Sequence, residues 1–247
     1  MSKLKIAVAH HKVLEGGDPV LQNPAFINIG VGKELANTKD AWCRKNIVMA
    51  EGPLVELNYT MSELTHLHHL WKHQEELLDA DTEYIGLCHY RRRFDPEKIG
   101  KLIEEQNPDI VCSLPAGIGI YRIQTQYWVA HDKEDFEDLL GYIKECFWHG
   151  QRPDITEAWL NMRMLPAPYN CVIMRKELFN DWCERLFAVL LDIYSKRKDD
   201  IDKRDTYQKR AIGFLGERFT SWYVTQMAIG QNKNVLQVGM DKSEGAI

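Results

Sequence analysis

The stretch Tyr84-Ile85-Gly86-Leu87-Cys88-His89-Tyr90-Arg91-Arg92-Arg93 changes character in a single step. Tyr84–Cys88 reads as a buried apolar strand, and His89–Arg93 as a turn of cations and hydrogen-bond donors. In open α/β sheets, ligands bind in the crevice outside the carboxyl ends of the strands. Guanidinium groups grip phosphate bidentately, so a diphosphate is the natural guest of such a turn. The plain alternative is a solvated basic loop. Its position directly after a strand favours the ligand.

Reading outward from this stretch, Leu4–Ala9 is a first buried strand, broken by His10, His11 and Lys12. Phe26–Val31 repeats the pattern, with Gly30 and Gly32 closing it. The spacing of Leu64, Leu67, Trp71 and Leu78 predicts a helix over Thr60–Leu78, capped by Thr60 or Ser62. Lys98–Gln106 fits a helix after Pro96, and Asp109–Leu114 a strand stopped by Pro115. The order strand, strand, helix, strand, helix, strand predicts an α/β domain with a mostly parallel sheet flanked by helices.

The second half reads as mainly helical. Lys133–Trp148, Lys176–Ser195 and Tyr207–Met227 are predicted helices, with a short strand at Tyr169–Met174 and a last one at Val235–Val238. Lys196–Arg204 reads as a solvated charged connector. Without repeats or low-complexity segments, residues 1–247 are expected to form one domain.

Of the 247 residues, 45% are hydrophobic and 27% charged, which suits a globular chain with a real core. The formal net charge of −5 argues against a nucleic-acid partner. Six cysteines without a Cys-x-x-Cys pair read as buried thiols in a reducing compartment. Met1–Lys5 lacks the apolar run of a secretion signal. No segment reaches the roughly 18 apolar residues of a membrane span. The expected location is the cytoplasm, with peripheral docking on the inner face of the membrane open to it.

A divalent metal on an Asp-x-Asp pair is a common way to hold a diphosphate. Asp79-Ala80-Asp81 falls at the amino end of the Tyr84 strand, and Asp200-Ile201-Asp202 falls in the charged connector. Both read as surface carboxylates, leaving His89 and the arginines to supply the positive charge. His66, His68, His69 and His73 lie close together, and His69 and His73 share a helix face suited to zinc. No acidic or cysteine partner completes a known spacing, so an amphipathic helix with exposed histidines is expected. Gly213 and Gly216 each cost a helix about 1 kcal/mol against alanine, which implies close approach by a neighbouring backbone or a ligand. Arg210, Glu217 and Arg218 fall near one helical stripe. A ligand site and a buried ion pair are equal readings of that stripe.

With these segments in place, the chain resembles a family of bacterial capsule, exopolysaccharide and O-antigen proteins catalogued as domain of unknown function 4422, with galactofuranosyltransferases among its members. The resemblance runs through His11-Lys12, Asn58, Glu63-Leu64-Thr65, Trp71-Lys72 and the ungapped Tyr84–Arg92 stretch. It continues through Gln126-Tyr127, His131, Tyr169-Asn170, Ile173-Met174, Tyr207–Arg210, Gly213–Leu215 and Glu217-Arg218. The sequence departs from the family pattern at Glu51–Glu56, where an Asp-rich stretch is usual. It departs again at His68-His69, in place of Tyr-Trp, at His73, in place of Asn, and at Cys171-Val172, in place of Met-Phe.

The resemblance implies a GT-A-like, Rossmann-like fold and transfer of a sugar to a glycan acceptor, with UDP-galactofuranose as the expected donor. An inverting route needs a carboxylate base, for which Glu63, Glu217 and Asp154 are the candidates. The donor and its diphosphate are assigned to His11, Lys12, Asn58, His89, Tyr90, Arg91, Arg92, Asn170, Arg210 and Arg218. No cofactor is expected; Mn2+ is compatible but not needed. A lipid-linked acceptor fits the same reading. Two other readings use the same residues: a non-catalytic module that binds a sugar nucleotide or partner, and a metal-dependent hydrolase built on the histidines.

Overall fold

The computed structural model describes residues 3–146 and 152–242. In chain order its strands are β1 (Leu4–His10), β2 (Phe26–Gly30), β3 (Ile47–Met49), β4 (Tyr84–His89), β5 (Arg92–Arg93) and β6 (Ile110–Ser113). They continue with β7 (Ala116–Gly117), β8 (Met164–Leu165), β9 (Val172–Arg175), β10 (Val235–Val238) and β11 (Asp241–Lys242). The helices of the first half are α1 (Lys33–Ala36), α2 (Ala41–Asn46), α3 (Asn58–Met61), α4 (Leu64–Lys72), α5 (Gln74–Leu77) and α6 (Pro96–Gln106). Those of the second half are α7 (Ile123–Ala130), α8 (Lys133–Gly141), α9 (Pro153–Leu160), α10 (Lys176–Ile201) and α11 (Ala211–Thr225).

The main sheet runs β10-β6-β9-β4-β1-β2-β3, with β5 and β11 attached beside β4. β1 pairs in parallel with β2 (Ile6 opposite Phe26) and with β4 (Leu4 opposite Tyr84). β9 alone in this row runs against its neighbours, with Leu87 opposite Val172 and Ile110 opposite Met174. Its reversal brings the residues just before it, Tyr169 and Asn170, to the carboxyl edge of the parallel strands. This is the mostly parallel, helix-flanked sheet that the order of segments predicts.

Strand alternation sorts side chains to two faces, both covered. Ala7, Ala9, Ile85 and Leu87 join the large core beneath α4, α10 and α11. Leu4, Ile6, Val8 and Cys88 join a smaller core that includes Ile99 of α6. Double coverage is why β1 and β4 read as unbroken apolar runs. The described cysteine side chains, Cys43, Cys88, Cys112, Cys171 and Cys183, are free and buried.

Several elements differ from the sequence-based expectation. The predicted helix over Thr60–Leu78 is three short helices, because Ser62 adopts a left-handed φ of 53° at the first break and His73 leaves helical geometry at the second. The cause at Ser62 is tertiary. A Cβ on Gly213 would lie 3.2 Å from Ser62 Oγ, and one on Gly216 would lie 2.5 Å from a methyl of Leu64. The two glycines let α11 press directly on this bend, which is the close approach their helix cost implied.

The histidines of α4 are not an exposed face: His66 and His69 are buried. Lys196–Ile201 is not a connector either, since it completes α10. Arg197 there pairs with Glu134 and Asp138 of α8 (2.5 and 2.6 Å), and Ile201 is fully buried. The helix over Lys133–Trp148 ends at Gly141 and passes into a wider turn over Tyr142–Cys146; its last two residues lie outside the described ones. The Tyr207 helix begins at Ala211 after a short turn at Gln208–Arg210. β3, α7 and α9 have no counterpart among the predicted elements. Among the described residues no helix is long and apolar enough to cross a membrane.

Candidate active site

β1 and β4 lie side by side and end together, so His11-Lys12 and His89-Tyr90-Arg91 emerge at one edge of the sheet. β4 then folds back, with Arg92 opposite His89. The three arginines part company in this turn. Arg93 is buried and ion-paired with Asp18, a structural use. Arg92 lies over the Tyr169 ring at 4.4 Å, and Arg91 over the Tyr90 ring at 5.2 Å. Tyr90 is itself buried, stacked on His10 at 5.5 Å and meeting His11 edge-on at 5.3 Å.

Two cavities open on this edge. The smaller, of about 410 Å³, is lined by His11, Asn58, Glu63, His66, His89 and Arg210, with Lys209 beside Arg210. The larger, of about 730 Å³, is lined by Leu14, Asp18, Tyr90, Arg91, Arg93 and Lys242. Both fall in the size class of small-molecule sites. Sequence positions far apart are gathered here: residues after β1, the bend at α3, the end of β4 and the start of α11.

Basic side chains outnumber the carboxylates here, which are Glu63 in the smaller cavity and Glu15 and Asp18 in the larger. His11, Lys12, Arg91, Arg92, Lys209 and Arg210 form no ion pair among the described residues. Arg210 donates only to Ser62 Oγ (3.1 Å). Desolvation lowers the His11 pKa, and the nearby basic groups, Lys12 and Arg91 foremost, lower it further. The smaller part of that lowering comes from the neighbouring basic groups, and a bound anion would offset it.

Behind the cations, a constrained loop fixes the carboxylates. Ala167, Tyr169 and Asn170 have φ of 46°, 64° and 53°, left-handed values that cost a non-glycine residue roughly 1–3 kcal/mol each. Four side-chain hydrogen bonds hold the last two in place. Tyr169 N–H donates to Glu217 (2.6 Å), and its carbonyl accepts from His89 Nε2 (2.9 Å). Asn170 Nδ2 donates to Glu63 Oε1 (2.7 Å), and its Oδ1 accepts from Thr220 (2.7 Å). The loop therefore ties the end of β4, the α3–α4 bend and α11 into one unit.

The three candidate bases are thereby distinguished. Glu63 lines the smaller cavity, and Asn170 holds one of its oxygens. Glu217 is occupied by Tyr169 N–H and by Arg218 (2.5 Å). Asp154 lines neither cavity; it sits exposed in the first turn of α9, paired with Arg152 at 2.6 Å. Arg218 is buried behind the edge, donating to Glu217 and to Gln126 (2.6 Å), so it positions Glu217 and stands back from the cleft. The stripe on α11 thus divides into an ion pair at Glu217–Arg218 and a cleft residue at Arg210.

His66 was missed as a lining residue. Its Nε2–H donates to the carbonyl of His10 (2.9 Å), and burial pushes its pKa down to about 4. His69 accepts from Glu51 N–H (3.1 Å), and His68 packs edge-on against Phe187 at 4.9 Å. Among the described residues no group of three or more His, Cys, Asp or Glu side chains is placed to hold a metal ion. Of the Asp-x-Asp pairs, Asp79 pairs with Lys5 (2.8 Å) and Asp202 with Lys198 (2.9 Å). Asp200 pairs with Arg204.

The fold is similar to that of a solved structure titled as the bifunctional glycosyltransferase WbbM in its apo form. The two share 18% identity and a TM-score of 0.74 over 98% of this chain and 45% of that one. The chain thus spans less than half the length of that protein, and the likeness is one of fold. Among curated proteins none matches the chain. Residues 5–228 match the family described as a domain of unknown function (DUF4422), and a match over that extent makes the protein a member of it.

Proposed function

We propose that the protein is a glycosyltransferase that moves a sugar from a nucleotide diphosphate donor to a glycan hydroxyl. The observation that carries the reading is the group of unpaired cations around a cavity whose wall holds Glu63. A diphosphate lies across His11, Lys12, His89, Arg91 and Arg210, with the nucleoside in the larger cavity and the sugar in the smaller. Arg92, drawn to the Tyr169 ring, borders the same edge. The fold shared with a protein titled as a glycosyltransferase, and membership of the family, support this reading.

The reaction follows from the placement. Glu63, oriented by Asn170, takes the proton of the acceptor hydroxyl as its oxygen attacks the anomeric carbon. The bond from that carbon to the diphosphate oxygen breaks on the opposite side, which inverts the centre. The cations neutralise the charge that develops on the departing diphosphate, already aimed and costing no reorganisation. A positioned base of this kind is worth about 10²–10⁴ in rate. The cations supply the positive charge that a metal would otherwise bring, and the transfer as proposed does not call for one.

The family resemblance points to UDP-galactofuranose as the donor. It points equally to a bacterial surface polysaccharide, or its lipid-linked precursor on the cytoplasmic face of the membrane, as the acceptor. Thermal melting with UDP, UDP-galactose and UDP-galactofuranose, each with EDTA or manganese, tests the donor. A ligand that binds only the native state raises the melting temperature. The expected result is a rise with all three that survives EDTA, greatest with UDP-galactofuranose. No rise at millimolar nucleotide would defeat the donor reading.

A further inference from the structure

A second surface shares the carboxyl edge of the sheet with the candidate site. β6 and β4 both run against β9, so their ends open on the same side. Just past β6, Leu114 is 55% exposed, and Met164 of β8 and Ile229 are 49% and 53% exposed. Met164 and Ile229 line one cleft of about 430 Å³ together with Arg163. Gly117 lies opposite Met164, and from it the chain Gly117-Ile118-Gly119-Ile120-Tyr121-Arg122 projects. A Cβ on Gly117 or Gly119 would meet no atom within 4 Å, and Ile120 is 82% exposed. Arg122 returns the chain to the patch by donating to Asn161. The stretches that build this face, 114–131, 161–169 and 224–237, contain no aspartate or glutamate, in a chain that carries 36. Its exposed charges are Arg122 and Arg163, and neither forms an ion pair among the described residues.

We propose that this face docks the protein on an anionic phospholipid bilayer, with Ile120 and its apolar neighbours entering the headgroup boundary and Arg122 and Arg163 meeting lipid phosphates. An exposed apolar side chain gains by leaving water. Tyrosine suits the interface because its ring is apolar and its hydroxyl polar. Arginine lays its stem along apolar surface while its head reaches phosphate. Ile120-Tyr121-Arg122 supplies the three in order, and the missing carboxylates remove what an anionic surface would repel. A second copy of the chain fits less well, since a two-fold contact would turn both arginines onto the same acid-free face. The segment that carries Met164 reaches Tyr169 five residues on, so at most about 18 Å of chain separates the docking face from the loop that holds Glu63. The docking itself does not depend on the donor reading. That reading adds what the site meets there, an acceptor glycan presented at the lipid surface.

Sedimentation of the full chain with vesicles of phosphatidylcholine, alone or mixed with phosphatidylglycerol, tests the proposal. The wild type is expected to bind the mixed vesicles roughly tenfold or more tighter than the neutral ones, the effect of two arginines at an anionic surface. Ile120→Ser is expected to weaken binding to the mixed vesicles roughly tenfold. Arg122→Gln combined with Arg163→Gln is expected to erase most of the preference for them. Val48→Ser, at an exposed apolar position on β3, is the control and is expected to bind as the wild type does. Absence of wild-type binding to either vesicle would overturn the proposal. So would equal binding to both, or binding that the Ile120 and arginine variants leave intact. A wild-type dimer in light scattering that Ile120→Ser splits would give the face to a second copy and overturn it too. UDP titrated into the same preparations is expected to bind all variants alike. Vesicle binding without UDP binding would bring down the donor reading alone, so the two failures are distinguishable.

Discussion

The carboxyl edge of the sheet and the α8–α10 interface are both rich in arginine and treat it in opposite ways. At the interface Arg204 pairs with Asp132, Asp135 and Asp200, and Arg197 with Glu134 and Asp138. Asp135 is almost wholly buried there, and burial raises its pKa against the pull of Arg204. Each of these two arginines meets carboxylates within the protein. At the sheet edge Arg91, Arg92 and Arg210 meet aromatic rings and a serine hydroxyl, and among the described residues they form no ion pair with a carboxylate. The same side chain closes a helix pair in one place and is left without an acidic partner, at the proposed anion site, in the other. Partnership, more than residue type, tells structure from function.

The largest effect that would sharpen this contrast lies at Glu63. Glu63→Gln keeps the shape of the cavity and removes the base, so turnover is expected to fall about 10²–10⁴-fold with UDP affinity retained. Full activity in this variant would pass the role of base to another group. On the closed side, Arg204→Ala strands the buried Asp135 carboxylate and is expected to cost about 3–5 kcal/mol in chemical unfolding. A loss under about 1 kcal/mol would mean that the interface depends little on its charges.

Acid reaches the site through its buried histidines. His10 and His66 are held neutral with pKa values lowered to about 4 by burial. Unfolded, each takes a proton near the ordinary histidine value of 6.5. The stability they allow is therefore complete above that value and is lost as pH falls towards about 4, by roughly 3 kcal/mol for each. Melting temperature measured across this window is expected to fall in wild type and to fall less steeply in His66→Gln. The smallest effect is at Asp154, whose exposed pair with Arg152 touches neither cavity. Asp154→Asn is expected to leave turnover unchanged and to shift stability by less than about 1 kcal/mol.

Much of this was legible because the sequence changes character where the site begins. Tyr84–Cys88 is uniformly apolar and His89–Arg93 abruptly polar, so strand and turn were both readable, as was the alternation of strands with helices; the burial of Tyr90 and Arg93 within the turn was not. β3 escaped because its three residues lie on the sheet edge with Val48 exposed. The break at Ser62 escaped because α11, far along the chain, imposes it through Gly213. The run Lys196–Arg204 looked solvated because its partners on α8 are distant in sequence. His66 was hidden for a related reason: its helix position predicts exposure, and only the adjoining end of β1 turns it into the floor of a cavity.

The central claim is that the unpaired cations at the sheet edge hold a nucleotide diphosphate. Titrating UDP in EDTA into wild type, Arg91→Ala, Arg210→Ala and, as the control from the closed side, Arg197→Ala tests it most directly. Charge-assisted hydrogen bonds are worth about 1.5–3 kcal/mol. The account predicts roughly tenfold or greater loss of affinity in each of the first two variants and none in Arg197→Ala. Absence of UDP binding to the wild type at millimolar concentration, or binding that Arg91→Ala and Arg210→Ala leave intact, would contradict it.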